Sequence, residues 1–129
     1  MIYSNHRKRS RNEFHEYILG YRSIGCWKDK KGSIFNHDKN RVIKNIDNTN
    51  PQILNGKYQN RRNSIEKCYK VALSRGYKVF ALQNGGGCMS DAYAHLNYQR
   101  EGLSNDCKND GTGGPWSNEV YEIMTGNLY

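Results

Sequence analysis

The residues able to do chemistry are few and scattered. Histidines stand at His6, His15, His37 and His95. A nucleophile needs a base held beside it, but His37-Asp38 has no partner motif, and His6 and His15 lie in the first twenty residues. No acid–base pair or metal-ligating set emerges, so the chain is read as a non-enzyme with no catalytic residue, cofactor or metal. Asp106-Cys107-Lys108-Asn109-Asp110-Gly111 has the outline of a calcium loop, yet Lys108 takes the third ligand position and Ser117 the twelfth, where a glutamate is required. Asn109-Asp110-Gly111 is better explained as turn chemistry. Gly85-Gly86-Gly87 runs into Cys88 instead of the Lys-Ser/Thr and helix start of a phosphate loop. It reads as a tight turn.

Two tryptophans are better placed for recognition. Trp27 precedes Lys28, and Trp116 sits in Gly113-Gly114-Pro115-Trp116-Ser117-Asn118. Each can plug the core or offer a flat platform to the C–H face of a sugar, with amides and ammonium groups nearby for hydroxyls or charges. Trp27, Lys28, Asn84, Trp116 and Asn118 are the expected ligand-binding surface.

The elements that must position these residues are legible in outline. Asn63 is placed to cap a helix from Ser64 to Arg75, with Glu66 completing a capping box. Ile65, Cys68, Tyr69 and Ala72 form its apolar stripe, and Gly76 ends it. Tyr77 to Gln83 is nearly all apolar, as a buried central strand would be. A short helix is expected after Ser90, through Ala92, Tyr93 and Leu96 to Gly102. Gly111 to Pro115 reads as a loop, and Val120-Tyr121-Glu122-Ile123 as a closing strand. Ile24-Gly25-Cys26-Trp27 is a first strand. Between Lys28 and Asn63 the chain is a long polar excursion with scattered anchors at Ile34, Phe35, Val42, Ile43, Ile46, Ile53, Leu54 and Tyr58. The fold class is α+β: a small antiparallel sheet with one main and one short helix.

At 129 residues with 36% hydrophobic content, the core is thin, and a covalent staple would help it. Cys26, Cys68, Cys88 and Cys107 include no C-x-x-C pair, which argues against structural zinc and for two disulfides in an oxidising compartment. Three pairings are possible, and sequence does not choose among them. Cys68–Cys88 with Cys26–Cys107 is the preferred one, each loop contributing roughly 3–4 kcal/mol in the chain-entropy model.

Residues 1–20 read as a basic arm, with Arg7-Lys8-Arg9-Ser10-Arg11 followed by Phe14, Tyr17, Ile18 and Leu19 at the spacing of a short helix. The domain proper is expected over 21–129. Met1 to Gly20 holds no apolar run of signal length, and no membrane span is expected. Net charge is +8, with residues 23–79 contributing +9 and residues 80–129 contributing −4. If these halves separate in space, one face attracts polyanions; the bland alternative is a solvated surface.

Gly25-Cys26-Trp27, Cys68, Gly76-Tyr77, Phe80-Ala81-Leu82-Gln83, Gly85, Cys88, Cys107 and Gly113-Gly114 to Asn118-Glu119-Val120-Tyr121 resemble, in order, the pattern of a WSC domain. The resemblance covers residues 21–123 and is closest to a cysteine-poor variant found in secreted animal proteins; PAN/apple domains are more distantly similar. The family's second helical cysteine falls at Ala72, and the one after Cys88 falls at Ser90. The resemblance implies an extracellular, non-catalytic adhesion or carbohydrate-binding module, with glycan or anionic polysaccharide as partner. Nucleic acid is not an expected partner. An assembly subunit docking other subunits through its arm is the alternative, and a cationic defence or toxin-like protein the weaker one.

Overall fold

The computed structural model describes residues 7–11, 14–30 and 41–128. Expectations resting on His6, Ile34, Phe35 and His37-Asp38 lie outside the described residues. Five strands form one antiparallel sheet: β1 (Arg7–Arg11), β2 (Phe14–Lys28), β3 (Val79–Gly85), β4 (Gly87–Met89) and β5 (Gly113–Leu128). Their spatial order is β1-β2-β5-β3-β4. Helix α1 (Ser64–Ser74), the short helix α2 (Ala94–Asn97) and a 3₁₀ turn at Tyr58–Asn60 complete the described elements. The expected class, a small antiparallel sheet with one main and one short helix under disulfide staples, is what forms.

The segment from Phe14 to Leu19, expected as a short helix, is strand. β2 passes through Tyr21 without a break and pairs with β5 along most of its length. Register shifts fall between Ile18 and Gly20 and between Ser23 and Gly25, where both glycines adopt φ 116°. A bulge adds one residue and interrupts the period-two alternation of a strand. Ile18 is fully buried and Tyr21 nearly so.

α1 lies on one sheet face. Cys68, Tyr69 and Ala72 pack there with Tyr21, Phe80, Leu82 and Tyr121 in a single cluster. The rings meet closely: Tyr21 and Tyr69 centroids are 4.7 Å apart, and Phe80 stacks on Tyr121 at 5.2 Å. Offset and edge-on rings of this kind add about 0.5–1.5 kcal/mol per pair beyond area burial. The capping box does not form. Asn63 sits at φ 52° with no side-chain cap, its carbonyl accepts the Lys67 N–H, and Glu66 accepts from the Tyr21 hydroxyl at 3.3 Å.

The opposite face buries Val79, Ala81, Met89 and Val120 beneath Val42, Ile43 and Ala94, with Trp27 and Tyr98 at its margin. Burial on both faces explains why the β3 sequence is almost continuously apolar. The polar excursion is thus anchored by Val42, Ile43, Ile46 and Leu54, all buried; Ile53 is half-buried and Tyr58 exposed. An Asn45–Met89 bridge lays it against β4.

Both disulfides form in the preferred pairing. Cys68–Cys88 ties α1 to β4 across 5.3 Å between Cα atoms, and Cys26–Cys107 ties β2 to the loop before β5 across 6.0 Å. The glycine run is the β3–β4 hairpin turn, with Asn84 at φ 50° and Gly85 at φ 86°. Asn-Gly is the dipeptide that tight hairpins favour because both residues need positive φ.

Candidate functional site

One polar strand residue organises the most distinctive polar cluster. Gln83 continues the inward series Val79, Ala81, Gln83, so its amide is carried under the surface, 4% exposed. Its Nε2 donates to Asp29 Oδ2 at 2.7 Å and to Asn118 Oδ1 at 2.8 Å, and its Oε1 accepts from Arg41 Nη1 at 2.8 Å. Asp29 is held by the backbone N–H groups of Lys30 and Val42, both at 2.7 Å, and Arg41 lies 3.8 Å from its other oxygen. A buried carboxylate is tolerated when its lone pairs are met in this way. One atom is left over: Asn118 Nδ2 is buried without a hydrogen-bond partner.

Beside this frame opens a cleft of about 140 Å³ lined by Arg41, Asn45, Asp47, Tyr58, Gln83 and Asn84, together with Gly87 and Met89. The Arg41 guanidinium lies 4.9 Å over the Trp116 ring, a cation–π contact that fixes the cation at the rim. Trp116 is in β5, not in a loop, and adopts φ 49°. A bulky residue rarely occupies the left-handed region, and such strain collects at functional positions. Asn84, also at positive φ, stands exposed at the hairpin tip with its Nδ2 3.5 Å from the Tyr58 hydroxyl. The cleft gathers amides, a hydroxyl, a guanidinium and a carboxylate within one small concavity.

The expected surface of Trp27, Lys28, Asn84, Trp116 and Asn118 divides. Asn84 lines the cleft and Trp116 flanks it through Arg41. Asn118 is fully buried and belongs to the frame. Trp27 packs edge-on against Tyr98 at 5.4 Å and donates its Nε1–H to the Ile24 carbonyl, as a core plug does. Lys28 is exposed in β2, its N–H bonded to the Gly102 carbonyl. Asp29, Arg41, Asn45, Asp47, Tyr58 and Gln83 escaped the sequence reading. The one legible signal was Gln83, an amide at an inward position of an apolar strand.

A second hollow of about 460 Å³ opens at the far end of the same sheet face, between Lys78, Val79, His95, Tyr98 and Glu122. His95 Nδ1 is buried there without a hydrogen-bond partner. Glu122 is engaged by Arg22 at 3.0 Å. Cys26, Cys107 and Glu119 also lie close together, but the sulfurs form a disulfide and so offer no thiolate to a metal. Among the described residues, no helix is long and apolar enough to cross a membrane.

The fold and cleft define a small α+β domain stapled by two disulfides. No family model matches the chain, and neither a curated protein nor a solved structure matches it.

Proposed function

We propose that this domain is a non-catalytic binding module that recognises glycan in an extracellular setting. The cleft at the β3–β4 hairpin carries the reading: Asn84, Tyr58 and Arg41 present donors and acceptors over a frame held rigid by Asp29, Gln83 and Asn118. Rigid donors lose little freedom on binding, which is what weakly hydrophobic ligands such as sugars require. Two disulfides support an oxidising compartment. The ordered similarity of Gly25-Cys26-Trp27, Cys68, Phe80-Ala81-Leu82-Gln83 and Cys88 to WSC domains points the same way.

A glycan array probed with the wild-type chain and with an Asn84→Ala, Tyr58→Ala variant tests the reading. Selective binding that the variant loses supports it. Binding to no glycan, or binding the variant retains in full, defeats it.

The assembly reading is favoured by one observation: β1 lies at the edge of the sheet, so its outer backbone groups have no sheet partner among the described residues. Such an edge can accept a strand from a neighbour. Light scattering would then give a multimer that Arg9→Pro converts to monomer.

A further inference from the structure

A marked charge asymmetry lies on the outer side of α1. Between residues 48 and 78 the chain holds seven basic residues and one carboxylate, Glu66. Of the seven, Arg61 is buried and neutralised by Asp47. Glu66 is half-buried under the Tyr21 hydroxyl. What reaches solvent is positive.

Lys67, Lys70 and Arg75 are strung along about 12 Å at 1.5 Å per helical residue, with Arg62 in the turn just before α1. Lys67, Lys70 and Ser74 share one side by their i, i+3, i+7 spacing. Two of the cations bond to neutral oxygens: Lys67 Nζ donates to Asn55 Oδ1 at 2.8 Å, and Arg75 Nη2 to the Thr49 carbonyl at 3.4 Å. These contacts tie the heads to the polar excursion beside α1 and leave their charge uncompensated. The loop bearing Asp110 approaches α1 at Ile65, which lies roughly 160° around the helix from Lys67 at 100° per residue. Its carboxylate therefore borders the other flank.

From this we infer that the outer face of α1, through Lys67 and Lys70 with Arg62 and Arg75 at its two ends, binds a linear sulfated polysaccharide. The chemistry discriminates among polyanions. No aromatic or aliphatic side chain in 62–75 is exposed. Bases stack on aromatic rings and membrane-surface helices insert apolar side chains, so this face suits a partner recognised by charge alone. The two disulfides set it in an oxidising compartment, where sulfated chains are found and free nucleic acid is not the usual ligand. The inference stands apart from the cleft.

Heparin titrated against the full chain, from low salt to 0.3 M, is the test. Lys67→Glu/Lys70→Glu should weaken binding by about tenfold or more near physiological salt and reduce the slope of log affinity against log salt by about two, one per cation removed. Lys67→Gln/Lys70→Gln, milder at solvent-facing positions, should show about half that loss. Lys44→Glu/Lys108→Glu carries the same change in net charge elsewhere and should bind heparin within about twofold of wild type. Equal losses in both Glu pairs, an unchanged slope, or equal affinity for single-stranded DNA or anionic vesicles at matched salt would overturn the inference. Array binding that persists at the cleft while heparin binding fails would count against this face alone.

Discussion

Arg61 grips Asp47 with two parallel hydrogen bonds, Nη1 to Oδ1 at 2.8 Å and Nη2 to Oδ2 at 3.0 Å. The same guanidinium donates to the carbonyls of Asn55 at 2.8 Å and Gly86 at 2.8 Å, and Asp47 Oδ1 also accepts the Cys88 N–H at 2.8 Å. Two residues thus join the polar excursion to the β3–β4 hairpin and to the Cys68–Cys88 staple. The bridge forms a wall of the candidate cleft, because Asp47 lines it.

Breaking that pair on one side leaves a buried charge without its partner. Arg61→Ala or Asp47→Ala should each cost about 3–5 kcal/mol, read from urea unfolding. Amide exchange should rise first in residues 45–60.

Reducing the disulfides should lower stability unequally. The bonds span sequence separations of 20 and 81 residues. In the chain-entropy model this corresponds to about 3 kcal/mol for Cys68–Cys88 and about 4.5 kcal/mol for Cys26–Cys107. Paired Cys→Ala variants compared by thermal melting should follow that order.

Gly86 of the hairpin and Gly56 of the polar excursion differ in what they tolerate. A Cβ at Gly86 would lie 2.7 Å from the Ser64 Cβ and 2.9 Å from the Tyr58 carbonyl, whereas Gly56, at φ 79°, faces open space. Gly56→Ala should cost only the left-handed penalty of about 1–2 kcal/mol. Gly86→Ala should cost more and should displace the 3₁₀ turn, which calorimetry and tyrosine fluorescence would register.

The two tryptophans should separate under mutation. Trp27→Ala removes an edge-on ring contact and should cost about 2–4 kcal/mol in unfolding free energy. Trp116→Ala keeps the Cβ that makes φ 49° unfavourable, so it leaves that strain in place and should act chiefly by weakening binding at the cleft through Arg41. Glycan affinity measured beside thermal melts would show the split.

Tyr121 sets a pH response. Burial first, then the charge of Glu119, pushes its phenol well above the usual value near 10. Because the folded pKa is raised, its contribution is complete below pH 10 and fades as pH rises beyond that, where the unfolded phenol ionises and the folded one does not. Unfolding free energy should fall above pH 10. Tyr121→Phe, which loses the 2.7 Å bond to the Gly111 carbonyl, should start about 1 kcal/mol lower and fall less steeply.

Local pattern alone determined α1, β3, the closing strand and the α+β class. Each depends on periodicity or on residues with one conformational use, such as the Ile65-Cys68-Tyr69-Ala72 stripe and Gly76 at φ 74°. Gln83 was readable too, as an amide in an inward register. The course of β2 was not, because bulges at Gly20 and Gly25 break the alternation on which strand reading rests. Nor was the cleft: Asp29, Arg41 and Asp47 look like ordinary surface groups of the polar excursion until it folds back over the sheet. Pairing of buried charges and amides is a long-range choice, decided by which oxygens and donors packing brings together. Tertiary structure alone therefore decided that Asn118 supports the site from below, that Trp27 closes a core, and that Arg61 holds the two halves of the cleft together.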